Sequence, residues 1–75
     1  MIGSGSLVAF KSNNNSYRHV KGWDSFPGEY GYKTALWTKN GTLGIVLSCK
    51  DRFCLVYVGM QGANWFEIKN LIEIS

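Results

Sequence analysis

"GTLGIVLSCKDRFCLVYVG", Gly41 to Gly59, decides the fold. It is the most apolar run in the chain and holds both cysteines, Cys49 and Cys54. Two β-branched segments, "TLGIVLS" and "FCLVYVG", lie either side of a polar "CKDR" and read as strands joined by a hairpin turn. Flanking a four-residue loop, the cysteines would sit opposite one another with Cβ atoms ~4.5–5.5 Å apart. A disulfide needs a slightly closer approach, and thiols in a reducing compartment stay reduced. The expectation is two reduced, small apolar residues that serine could replace without loss of the fold. In "FCLVYV", Phe53, Leu55 and Tyr57 alternate with Cys54, Val56 and Val58. Both faces are therefore apolar, as in a strand buried on both sides or one whose outer face lies under an aromatic cover.

Further strand signals lie on both sides. "SLVAFK" opens the chain, and "KTALWTKNGTLGIVLS" carries Asn40–Gly41, the strongest short hairpin signal present. "NWFEI" reads as a strand, "KNL" as a single helical turn, and "IEIS" as a last strand with Ile72 and Ile74 on one face. Between the first two segments runs "SNNNSYRHVKGWDSFPGEYGY", a polar, glycine-bearing loop of a length that is uncommon unless it is functional. No helical pattern exceeds about one turn, and no internal repeat appears.

Five short strands, a long first loop and a one-turn 3-10 helix before the last strand define a small all-β barrel over residues 1–75, as a single domain. The segments "GSLVAF", "GTLGIVL", "CLVYVG" and "NWFEIKNLIEI" resemble the SH3-like barrel, the class that also contains Tudor and KOW modules. Short stand-alone chains of this look also occur in bacteriophage genomes. The resemblance implies a binding module with its groove between the long first loop and the strand bearing Trp65. Two features depart from the peptide-binding members. Only Asp24 and Glu29 stand where those members place an acidic run, and the "ALYDY" stretch is absent. Both departures argue against recognition of proline-rich peptides.

Composition narrows the function. A chain of 75 residues supports one thin core and has little room for a closed catalytic pocket of ~300 Å³ or more. No catalytic motif is visible: His19, the only histidine, has "HVKGWDS" around it, which matches no triad arrangement. Zinc wants four ligands in close pairs, and Cys49, Cys54 and His19 supply no second pair. Neither an enzyme nor a metal or other cofactor is expected. No apolar run approaches the ~20 residues of a membrane span. "MIGSGSLVAF" lacks the charged start and long apolar core of a signal peptide, so a cytoplasmic location is expected.

Aromatics make up 15% of the chain, and charge is sparse at 17%, with a net +3. Trp23, Tyr30, Tyr32, Trp37 and Trp65 are the candidate anchors for a protein partner, with Arg18 and Lys21 steering an acidic one. Phe26 and Tyr30 are also expected to fold back as a cap on the thin core. The rival reading is a nucleic-acid module that adds Lys33, Lys50 and Arg52 to the same face, with bases stacked on the aromatics. A third is a subunit that buries its aromatic face by self-association.

Overall fold

The structure, a computed structural model, describes residues 1–12, 14, 16–28 and 34–75. It is all-β. The strands are β1 (Leu7–Phe10), β2 (His19–Trp23), β3 (Ala35–Lys39), β4 (Leu43–Lys50), β5 (Phe53–Tyr57), β6 (Ala63–Glu67) and β7 (Leu71–Glu73). Two 3-10 turns, Gly59–Gln61 and Ile68–Asn70, bracket β6. Among the described residues, no helix is long and apolar enough to cross a membrane.

The strand count corrects the expected five-stranded barrel. Among the described residues, seven strands form one sheet in the order β3-β2-β6-β5-β4-β1-β7, and that sheet has two margins and is not closed. The long first loop accounts for part of the difference: "HVKGW" is β2, paired antiparallel with β3 from His19–Lys39 to Trp23–Ala35. Asn40–Gly41 is also not a hairpin, because β3 and β4 lie on different sides of β2, β6 and β5. In a flat sheet they would be about 19 Å apart, whereas the link from Lys39 to Leu43 reaches about 14 Å at full stretch. The sheet must therefore curl. Gly41, at φ 88°, turns the corner, its N–H donating to Phe10 O at 2.8 Å. The Asn40 side chain ties down the neighbouring loop: Oδ1 accepts from Ser12 N at 3.0 Å and Nδ2 donates to Tyr17 O at 3.1 Å.

Curling brings the inward residues together. Val8, Phe10, Val20, Val46, Cys54, Val56, Val58, Phe66 and Leu71 form the core. The rings of Phe10 and Phe66 meet at 4.5 Å between centroids. Gly22 lies opposite Phe66 in the β2–β6 ladder, and a Cβ there would come within 2.4 Å of the Phe66 ring, too close for any side chain unless the ring moved. This close approach is why the inward position after Val20 is a glycine.

The turn of the opening stretch is shorter than expected. Lys50 pairs with Phe53, leaving only Asp51 and Arg52 in the turn, with Asp51 at φ 56°, a conformation Asp tolerates better than most residues. Cys49 does lie directly opposite Cys54, but the two are joined in a disulfide, their Cα atoms 4.1 Å apart. The expectation of reduced thiols is corrected by this close pairing. Val46 and Cys49 are three residues apart, so a regular strand would put them on opposite faces. The register shift between Val46 and Ser48 leaves Leu47 as an extra residue, and this bulge puts Cys49 on the same face as Cys54, although Cys49 itself stays exposed.

Candidate functional site

The outer face of the sheet follows from the register. Trp23 stands opposite Trp65, and Trp65 opposite Leu55. One row nearer the Asp51–Arg52 turn, Trp37 pairs with Lys21, and Phe53 links Glu67 to Lys50. Beyond these, His19 pairs with Lys39. The side chains on these rows sort the candidate aromatics into two groups.

The first group is a second layer of packing. Phe26 folds back, as expected, against Trp65 at 5.0 Å and Phe53 at 5.6 Å, both edge-on. Trp23 meets Phe53 at 6.0 Å, also edge-on. Trp23, Phe26, Phe53 and Trp65 are all half-buried. This cluster is the aromatic cover over β5 that its two apolar faces allowed. Lys50 Nζ lies 4.5 Å from the Phe26 ring centroid, a cation–π contact.

Trp37 belongs to the second group. Its side chain is 59% exposed, and Tyr17 beside it is 60% exposed. With Ser16, Arg18 and His19 they line an open depression of about 640 Å³. The depression adjoins a smaller cleft of about 220 Å³, where Lys21, Glu67, Lys69 and Asn70 join Tyr17, His19 and Trp37. Lys21 Nζ is 5.6 Å from the Trp23 ring and 5.9 Å from the Trp37 ring, so one cation bridges the two groups. Asn70 is 8% exposed, and its buried Oδ1 has no hydrogen-bond partner among the described residues.

Charge gathers at this end. Arg18, Lys21, Lys39, Lys50, Arg52 and Lys69 all lie there, six of the chain's eight Lys and Arg. Arg52 O accepts from Ile68 N at 2.9 Å, which holds the β4–β5 turn against the start of the second 3-10 turn. Among the described residues the acids at this end are Asp51 and Glu67, and Glu67 is paired with Lys69 at 3.5 Å. By contrast, the outer rows Leu7–Ile45–Tyr57 and Leu43–Ala9–Ile72 carry no charge.

The candidate anchors are therefore divided. Trp37 and Arg18 line the depression and Lys21 the cleft beside it, with Trp37 shared by both, while Trp23 and Trp65 mainly pack against their neighbours. Lys50 and Arg52 border the same end from the β4–β5 turn. Tyr30, Tyr32 and Lys33 lie outside the described residues. Tyr17, His19, Lys39 and Lys69 join the site without having been singled out as contacts. Tyr17 is an aromatic within a polar tract of the sequence, whereas His19, which falls in the expected long loop, stands on β2. No family model, curated protein or solved structure matches the chain.

Proposed function

We propose that the chain is a non-enzymatic binding module, SH3-like in the order of β1, β4, β5, β6 and β7. On this reading it takes an acidic segment of a partner protein across the end of the sheet that carries Trp37. One observation carries the proposal: a largely exposed indole stands beside Arg18, Lys21 and Lys39, on a face whose acids among the described residues are few. A solvent-facing Trp contributes little to folding, whereas an aromatic flanked by cations is a ready anchor for an anionic partner.

The same clustering of cations favours a second reading, single-stranded nucleic acid stacked on Trp37 and Tyr17. Salt and substitution separate the two. Engagement of four phosphates by Arg18, Lys21, Lys39 and Lys69 would give log K against log salt a slope of about −3. A peptide anchored chiefly on Trp37 would show a shallower slope. The experiment is an NMR titration with a capped Glu-rich peptide and, separately, with oligothymidylate, at low salt and at ~0.3 M. Trp37→Ala should weaken the preferred ligand about tenfold or more while changing stability by no more than about 0.5 kcal/mol. If neither ligand moves the Trp37 indole signal at low salt, both readings fail.

A further inference from the structure

Among the described residues no strand pairs with the outer side of β3, and the hydrogen-bonding parity of that edge can be worked out. Asp24 N donates to Thr34 O at 3.2 Å, and Asn40 N donates to Arg18 O at 2.9 Å. Antiparallel pairs alternate between bonded and non-bonded, so between these two ends Gly22–Leu36 and Val20–Thr38 are the bonded pairs of the β2–β3 ladder. The remaining residues, Ala35, Trp37 and Lys39, turn their backbone N–H and C=O groups away from β2. Among the described residues, the one backbone bond made by these outward groups is Thr42 N to Lys39 O at 3.2 Å. The five-pair register of β3 has no bulge and the strand has no proline, two devices that commonly shield an edge.

We propose that this edge accepts an extended, acidic segment of a partner protein as an added strand. The proposal rests on the protein-binding reading above and supplies its geometry. The outward groups of Ala35 and Trp37 would bond the segment's backbone, and main-chain bonding of this kind gives affinity without demanding a sequence. Alternate side chains of the added strand would stand on the outer face beside Trp37 and Lys39, near Lys21 and Arg18. Charge selects the occupant. A second copy of the chain would bring the same cations to the seam, whereas a segment with Asp or Glu at alternate positions meets them with opposite sign.

The test uses the whole chain and a short, capped peptide of alternating Glu and Val, followed by amide exchange. On binding, the Ala35 and Trp37 amides should shift and exchange more slowly, while those of Leu36 and Thr38, already bonded to β2, change little. Ala35→Pro removes an outward donor without breaking a ladder bond and leaves Trp37, Lys21 and Arg18 in place. It should weaken the peptide about tenfold or more. A peptide N-methylated at its centre should lose a similar factor against the unaltered protein, which keeps the test valid if the variant misfolds. Movement of the Trp37 indole with unchanged exchange at Ala35 and Trp37 would overturn strand addition and leave the protein-binding reading standing. Failure of the peptide where oligothymidylate binds would overturn both. Slow exchange of the same two amides in concentrated protein alone, with a doubled mass in solution, would assign the edge to a second copy and overturn the proposal.

Discussion

Reducing the Cys49–Cys54 bridge should lower the melting temperature by an amount that follows from the loop it closes. Residues 49 to 54 enclose six positions, and for a loop of that size the chain-entropy relation gives about 2.2 kcal/mol lost on reduction. Unfolding entropy near 2.1 cal/mol/K per residue, taken over 75 residues, converts this to a fall of roughly 14 °C. The assay is thermal unfolding followed by circular dichroism, with and without a phosphine reductant, and with intact mass confirming the gain of two hydrogens. Alanine at both positions should reproduce the reduced value more cleanly than serine. Cys54 is 0% exposed, so a hydroxyl there would be buried at a further cost of about 1–3 kcal/mol. The fold itself should survive, because the β4–β5 ladder holds the register on both sides of the bridge. If the oxidised and reduced proteins melt within about 3 °C of one another, the cross-link is not restricting the unfolded chain and the reasoning is wrong.

Gly22→Ala should destabilise by about 1–3 kcal/mol through overpacking, because the new methyl would compete with the Phe66 ring for the same space; a variant as stable as the parent in urea would show that this ring moves aside freely. Glu73 titrates below its ordinary 4.5, chiefly because it accepts a hydrogen bond from the Met1 ammonium, with Ser6 Oγ adding a weaker one. Its contribution to stability should accordingly be complete above the ordinary carboxylate range and disappear as pH falls through the lowered folded value. Carboxyl-detected NMR reads the midpoint directly, and a value at or above 4.5 would refute the contact.

Strands with recurring apolar residues were legible whichever face those residues occupy: Ile72, which signals β7, is exposed, while its buried neighbour Leu71 reads as part of the turn. β1, β4, β5, β6 and β7 each correspond to a run visible in the chain, and the second 3-10 turn, Ile68–Asn70, falls one residue before "KNL". β2 was not legible, for a specific reason. Its inward positions are Val20 and Gly22, and a glycine signals nothing apolar when the volume beside it is filled by Phe66 from another strand. Asn40–Gly41 likewise reports a turn but not which strands it joins, since hairpin and corner use the same local conformation. The Leu47 bulge was hidden because only the pairing of Cys49 with Cys54 shows that one residue is surplus.

The same limit governs the site. Trp23, Trp37 and Trp65 look equivalent as residues, and their roles separate only once the register is known. Trp23 and Trp65 face each other across β2 and β6, distant in the chain, and Phe26 and Phe53 close over them. Those four side chains give a thin domain a second apolar layer, so their density is explained by packing. Trp37 sits on the marginal strand, beyond which no further strand lies among the described residues. Its partner on the inner side of the row is Lys21 rather than another ring. An indole in that position gains little from the fold, and its exposure is therefore the feature of this face that folding leaves unexplained.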